Sequence, residues 1–171
     1  MIQEACLLVI ICTAFVSDIR TSAIPNYITI GGLATGVIFQ AAVYGMTGLF
    51  QALTATATGF LLLLLLYMFG ALGAGDVKLF AAVGAWSSIP FVLSSMMYSL
   101  LYAGFIGLGI LLWRRELTRR FFGLVMWFFR AILLRDKYVI KGLKQLQHIR
   151  FPFMYAVLPG ILTAFVELKW L

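Results

Sequence analysis

The sequence has 171 residues, of which 63% are hydrophobic and 11% charged, and its formal net charge is +7. Soluble domains are nearer to half apolar and a quarter charged, so this composition excludes both an ordinary soluble fold and a disordered chain. The apolar run over residues 61–66 has no polar residues in alternation, which a membrane β-barrel would require. We therefore expect an all-α protein, a polytopic transmembrane helical bundle forming a single domain over residues 1–171.

Apolar segments along the chain predict six membrane spans. Pro25 lies between the first and second predicted spans, where it suits the start of a helix. Gly32 and Gly36, within the second predicted span, form a GxxxG pair that is typical of close helix packing. Residues 77–113 carry a single charge and are too long to cross a core of about 30 Å once, so we expect a turn at residues 87–90. The predicted spans are residues 2–17, 27–44, 48–72, a short and a longer span within 77–113, and 151–168.

The distribution of charge predicts how these spans are oriented. Residues 114–150 contain ten of the thirteen basic side chains. By the positive-inside rule this loop faces the cytoplasm, which places the N-terminus outside and makes the chain a multi-pass protein of the inner (cytoplasmic) membrane. We interpret residues 121–134 as an interfacial or re-entrant helix, with a seventh span as the open alternative. The loop is expected to bind anionic lipid headgroups, since no nucleic-acid-binding motif accompanies its charge.

Cys6 and Cys12 both lie in the first apolar segment. Residues six apart do not share a helix face, and the single His148 is remote in sequence, so no metal-ligand pattern can be assembled. We predict neither a metal nor another cofactor, and we interpret the two cysteines as small apolar residues.

Two acidic residues stand at the ends of predicted spans. Asp18 closes the first span and Asp76 lies between the third and fourth, so the predicted topology puts both at the cytoplasmic end of the bundle. Ionisable groups in a membrane are costly and are functional candidates by default. Of two facing carboxylates, one can take a proton from water while the other donates to a substrate carbonyl, which is peptide hydrolysis without a metal. The alternatives are a helix N-cap for Asp76 and an interfacial ion pair between Asp18 and Arg20.

Two local motifs contain these aspartates. Residues 18–26, Asp-Ile-Arg-Thr-Ser-Ala-Ile-Pro-Asn, resemble the DxxxxxIPN segment of type IV prepilin peptidases, and residues 73–79, Gly-Ala-Gly-Asp-Val-Lys-Leu, resemble their GxGDxKL segment. The resemblance implies an intramembrane aspartic endopeptidase that removes the short leader from type IV prepilin or pseudopilin precursors, with Asp18 and Asp76 as the catalytic pair. It also implies motif or substrate-binding residues, namely Gly73, Gly75, Pro25 and Asn26. We assign no catalytic role to Lys78.

Larger members of that family carry an N-terminal segment with two cysteine pairs and also methylate the new pilin N-terminus. Nothing precedes the first span here, and Cys6 and Cys12 do not fit that pattern, so we expect no N-methyltransferase activity. The chain is more similar to the short peptidases of the Flp/Tad and Caulobacter-type pilus assembly systems. Leader recognition is expected from acidic groups, with Glu116 and Asp136 as candidates. An archaeal preflagellin-type peptidase, a presenilin-like protease and, more remotely, an ion or proton transporter subunit stay open as alternatives, as does a homo-oligomer.

Overall fold

The computed structural model describes residues 2–113, apart from 22 and 71, and residues 153–170. Within these residues all regular secondary structure is α-helical. The helices are α1 (Ile2–Thr21), α2 (Asn26–Met68), α3 (Ala74–Trp86), α4 (Ile89–Trp113) and α5 (Met154–Trp170). Three of the described helices are long and apolar enough to cross a membrane, namely Ile2–Thr21, Asn26–Met68 and Ile89–Ile110. The predicted class, an all-α helical membrane protein, is confirmed, while the number of spans and their orientation remain predictions.

The chain divides into two compact units. One comprises Met1–Ala103 with Pro152–Leu171, and the other is Gly104–Phe151, of which the structure describes only residues 104–113. The predicted basic loop at 114–150, its interfacial helix at 121–134, and the candidates Glu116 and Asp136 lie outside the described residues. The single domain over residues 1–171 therefore stays a prediction, and the contacts below all belong to the first unit.

Helix α2 is interrupted at Gly45. Its 43 residues would extend about 65 Å as one straight helix, more than twice the thickness of a bilayer core. Gly45 has φ 63° and ψ −146°, a backbone conformation that favours glycine, so the helical hydrogen-bonding pattern breaks there. We name residues 26–44 the first leg and residues 46–68 the second leg. The break falls between the predicted second and third spans.

The two legs of α2 pack on α3 and run in opposite directions along it. The contacting pairs, from the start of α3 to its end, are Phe80 with Gly59, Ala82 with Gly32, Gly84 with Ala55, and Trp86 with Gly36. Residue numbers on the first leg rise along α3, whereas those on the second leg fall. The chain therefore reverses at Gly45, and the start of the first leg and the end of the second leg lie together at the start of α3.

Glycines on the first leg allow it to approach α3 closely. A Cβ placed on Gly36 would lie 2.7 Å from Cδ1 of Trp86, and the Trp86 indole Nε1 donates a hydrogen bond of 2.8 Å to the carbonyl oxygen of Gly32. Packing of this kind stabilises membrane helices because lipid supplies no hydrophobic force between them. The predicted packing role of the Gly32 and Gly36 pair is confirmed.

Helix α3 is short and enclosed by protein. Every residue over 76–86 is buried except Lys78. Its 13 residues extend about 20 Å, less than a core of roughly 30 Å, which agrees with the short length predicted for the fourth span. α3 ends at Trp86 and α4 begins at Ile89, which confirms the turn predicted at 87–90. The predicted third span ends early, at Met68 rather than residue 72, because Gly70 with φ 73° follows and breaks the helix.

Helix α1 runs antiparallel to α3. Near the start of α1, the side-chain amide of Gln3 donates a hydrogen bond to the carbonyl oxygen of Trp86 at the end of α3. Two turns further along α1, Ile10 packs against Gly32 of the first leg. The last turn of α1 consequently lies at the start of α3.

Helix α5 begins where α1 ends. The rings of Phe15 and Tyr155 meet edge to face, with centroids 5.7 Å apart. Towards the other end of α5, Phe165 contacts Phe91 at the start of α4, with ring centroids 4.7 Å apart. We call the region where α1 ends and where α2, α3 and α5 begin the site end, because the predicted site residues lie there.

Candidate active site

The two predicted catalytic aspartates both lie at the site end, and both are buried. Asp18 is on the last turn of α1 and Asp76 is the third residue of α3, and each side chain is 8% exposed. The antiparallel packing of α1 on α3 brings them together, close enough for the Asp18 carboxylate to raise the pKa of Asp76. These two buried carboxylates, far apart in sequence but at the same end of the helices, are called the aspartate pair below.

Asp76 is held by the first turn of its own helix. Gly73 is the N-cap of α3, in an extended conformation, and its N–H donates a hydrogen bond of 3.2 Å to Oδ2 of Asp76. The interpretation of Asp76 as the N-cap is therefore wrong. Asp76 lies three residues after the N-cap, and its carboxylate accepts a hydrogen bond from the backbone of the N-cap residue, as an acidic residue does in a capping box.

Opposing influences act on the ionisation of Asp76, which lies outside the membrane-crossing helices. Burial raises the pKa of this carboxyl from its ordinary 3.8 to about 6, because a carboxylate loses hydration there. This value includes two smaller effects: the Gly73 N–H acts in the opposite direction by stabilising the charged form, and the nearby Asp18 contributes to the increase by like-charge repulsion. A carboxyl group of this pKa exchanges its proton in the neutral pH range, as a general acid or base must.

Asp18 takes its hydrogen bond from a different helix. The backbone N–H of Met154, the first residue of α5, donates to the Asp18 carboxylate. The other oxygen, Oδ2, is buried and has no hydrogen-bond partner among the residues that the structure describes. A buried carboxylate oxygen without a partner is energetically costly, and active sites are where such costs are retained.

Contacts join the two sequence motifs to each other. The Nζ of Lys78 donates a hydrogen bond of 2.9 Å to Oδ1 of Asn26, and a Cβ placed on Gly75 would lie 3.3 Å from Cβ of Ile24. The segment before α2 is thereby fixed against the first turns of α3. Lys78, to which the sequence assigns no catalytic role, lies two residues after Asp76 in the second motif.

The other predicted site residues occupy the starts of helices. Pro25 is the N-cap of α2 and its carbonyl oxygen accepts a hydrogen bond of 3.1 Å from the Ile28 N–H, which confirms it as a helix start. Gly73 is exposed, and a Cβ there would lie 3.2 Å from Oδ2 of Asp76, so a side chain would crowd the carboxylate. The described part of the chain contains no group of three His, Cys, Asp or Glu side chains that could hold a metal ion.

Comparison with known proteins identifies the family of this chain. A family model described as the type IV leader peptidase family matches residues 5–112, which include both aspartates. The chain belongs to this family. Among curated proteins, the prepilin leader peptidase/N-methyltransferase of Escherichia coli (strain K12) is 34% identical over 122 residues, which cover 65% of this chain and 52% of that relative. The chain thus spans about half the length of the curated relative it matches, and no solved structure matches it.

Membership of the type IV leader peptidase family confirms the resemblance drawn from residues 18–26 and 73–79. The family match ends within α4, so helix α5 lies outside it. The Met154 N–H on Asp18 therefore comes from a helix that lies outside both aspartate motifs and outside the residues matched by the family model.

Proposed function

We propose that this protein is an aspartic endopeptidase that removes the N-terminal leader from type IV pilin-like precursors. The observation that carries the proposal is the pair of buried carboxylates, Asp18 and Asp76, at one end of the helices of a leader peptidase family member. Each accepts one backbone N–H, from Met154 and Gly73 respectively, which fixes its orientation and leaves further oxygen lone pairs for substrate and water.

The chemistry proposed for the pair needs one proton between the two carboxyl groups. The ionised carboxylate takes a proton from water, whose oxygen bonds to the scissile carbonyl carbon, while the protonated carboxyl donates its proton to the carbonyl oxygen. The tetrahedral intermediate then breaks its C–N bond as the new amine takes a proton, which leaves the leader carboxylate and the mature N-terminus. A pKa of about 6 for Asp76 suits both halves of this cycle at neutral pH.

The proposed location is the cytoplasmic face of the inner membrane. Support comes from the charge distribution, because ten of the thirteen basic residues lie in residues 114–150 and favour a cytoplasmic loop by the positive-inside rule. Six spans, an outside N-terminus and contact of the loop with anionic lipid headgroups belong to the same proposal. The predicted homo-oligomer is carried by no described contact and is not part of it.

Cleavage without methylation is the finer form of the proposal. The name of the Escherichia coli relative carries both activities, and this chain spans about half of that protein. The supporting observation is that both cysteines, Cys6 and Cys12, are free on α1 and do not form the paired pattern of the larger enzymes. Mass spectrometry of the processed product tests this point, since an N-terminal methyl group adds 14 Da and would refute it.

The central experiment is co-expression with small pilin-like precursors, followed by N-terminal sequencing of the product. Asp18→Asn and Asp76→Asn are each expected to abolish processing while the protein still inserts and accumulates. Glu167→Gln is the matched control, because it removes another carboxylate with a buried oxygen, on the last turn of α5, and should leave cleavage intact.

The position of the cut separates the proposal from its alternatives. Cleavage before the apolar segment of the precursor supports a leader peptidase, whereas cleavage inside that segment supports a presenilin-like protease. Ion flux into liposomes that depends on Asp76, without proteolysis, would support the transporter alternative. Normal processing by either aspartate variant would refute the assignment of the pair.

A further inference from the structure

Helix α5 begins with a backbone donor that its own helix does not use. The carbonyl oxygen of Phe153 accepts hydrogen bonds from the N–H groups of Ala156, at 2.9 Å, and Val157, at 3.1 Å, so Met154 is the first helical residue. The first N–H groups of a helix have no acceptor within that helix. The N–H of Met154 is instead satisfied by the carboxylate of Asp18.

Burial and packing hold this donor in place. Met154 is 0% exposed, Asp18 is 8% exposed, and the edge-to-face contact of Tyr155 with Phe15 fixes the first turn of α5 against the last turns of α1. A hydrogen bond from an N–H to a carboxylate is stronger than one between neutral groups, and the start of a helix carries partial positive charge. Both effects favour negative charge on Asp18.

The two aspartates differ in where their support comes from. Asp76 takes its N–H from Gly73, three residues earlier on the same helix, so this contact forms whenever α3 forms. Asp18 takes its N–H from α5, which is distant in sequence and forms the contact only when α5 has packed on α1. The geometry of the pair therefore depends on α5.

We propose that the backbone N–H of Met154 is a positioning group for the aspartate pair, which orients the Asp18 carboxylate, stabilises its negative charge and leaves Oδ2 free for the reacting groups. This inference rests on the proposed function, because it assigns the N–H a part in the same reaction. It makes α5 part of the catalytic apparatus although the family match covers residues 5–112 alone.

Proline at position 154 tests the donor directly. Proline fits the first position of a helix, where its fixed φ is suitable, but it has no N–H to donate. Met154→Leu is the matched control, since it keeps the N–H and changes the buried side chain by little volume. If Met154→Pro fails to accumulate, an α-hydroxy acid at position 154 removes the same N–H as a backbone ester and replaces the proline variant.

The expected result is a loss of turnover without a loss of precursor binding. Met154→Pro should lower kcat about 10- to 100-fold, the factor for a hydrogen bond to a charged group, with KM changed less than about threefold. The low-pH limb of the kcat/KM profile should move to higher pH, because the N–H no longer favours the ionised carboxylate. Met154→Leu should keep the wild-type profile.

The pH profile reports the pair and not one residue, since the titratable group that faces Asp18 from α3 is Asp76. Arg20 lies beyond Asp18 on α1, and Tyr155 is the ionisable side chain in the first turn of α5. Tyr155→Phe, which keeps the ring contact, is therefore a control and should leave the low-pH limb where it is.

A stability cycle keeps the inference independent of catalysis. Met154→Pro should lower the apparent Tm in detergent when Asp18 is present and should do so much less in the Asp18→Asn background, because the charge that the N–H stabilises is gone. Equal losses in both backgrounds, or unchanged kcat and pH profile in Met154→Pro and in the ester variant, would overturn the positioning role. Wild-type protein that cleaves no precursor would instead refute the proposed function, and the stability cycle would still report the contact.

Discussion

Replacement of Asp76 by asparagine is expected to abolish cleavage and at the same time to stabilise the protein. Asparagine has nearly the same shape as aspartate, and its amide oxygen can accept the hydrogen bond from the Gly73 N–H that now reaches Oδ2. The substitution therefore preserves the start of α3 and removes only the ability to carry a negative charge and a transferable proton. A catalytic carboxylate buried at a cost in stability should behave in this way.

The size of the effect follows from the pKa of Asp76, which burial raises from 3.8 to about 6. Folded protein then holds the proton more tightly than unfolded protein, so the stability is greatest below pH 4 and falls as the pH rises towards 6 and just above. At roughly 1.4 kcal/mol for each pKa unit, the loss is about 3 kcal/mol by pH 8. The asparagine side chain of the Asp76→Asn variant does not titrate, so the variant does not lose this stability as the pH rises.

Thermal unfolding in detergent micelles between pH 4 and pH 8 measures this difference. The apparent Tm of Asp76→Asn should equal that of the wild type near pH 4 and exceed it increasingly up to pH 8. Asp76→Ala serves as the control, because it also removes the charge but leaves the Gly73 N–H without its acceptor, and it should gain less at pH 8 and lose about 1 kcal/mol at pH 4. If Asp76→Asn is less stable than the wild type at pH 8, or if the difference does not change with pH, Asp76 is a structural carboxylate and the reasoning fails.

Three further predictions concern the packing around the site. Lys78→Met, which removes the 2.9 Å hydrogen bond to Asn26, should lower kcat/KM for a precursor about fivefold. Asn26→Asp, which allows an ion pair at the same place, should keep the wild-type kcat/KM. Equal losses in both variants would contradict this link between the motifs. Gly36→Ala should lower the apparent Tm, because the added methyl group would lie 2.7 Å from an indole carbon of Trp86 and the overlap should cost about 1–3 kcal/mol of stability. Gly31→Ala, whose added methyl group would have no atom within 4 Å, should leave the Tm unchanged. Gly45→Ala should lower the stability by about 1–2 kcal/mol in the same assay, because φ is 63° at this residue even though an added Cβ would have open space. An unchanged Tm would show that the reversal of the chain between the two legs of α2 does not require glycine.

Features that depend on local residue type could be predicted from the sequence. Apolar length and the Ser87–Pro90 region located the turn between α3 and α4, and the GxxxG spacing located the face that packs on α3. Asp18 and Asp76 could be singled out because charge is rare in this chain, so that each remaining carboxylate needed an explanation.

Features that depend on long-range packing could not be predicted in the same way. The length of α3 is set by where Gly73 and Trp86 end it, and its enclosure by both legs of α2 depends on which helices pack together, which hydropathy does not encode. The hydrogen bond from Lys78 to Asn26 joins positions far apart in the chain. The donor at Met154 is a backbone group, which every residue except proline carries, and no residue type could have marked it.

The meeting of α1 with α5 has a consequence for how the protein is made. Asp18 is synthesised well before Met154, so a growing chain holds one aspartate without its donor until α5 has been made. Asp76 and its Gly73 contact are already present when α3 emerges. On the proposed function, a chain synthesised only as far as α4 carries both carboxylates but lacks the helix that sets their geometry, and proteolytic competence begins only when α5 has packed on α1.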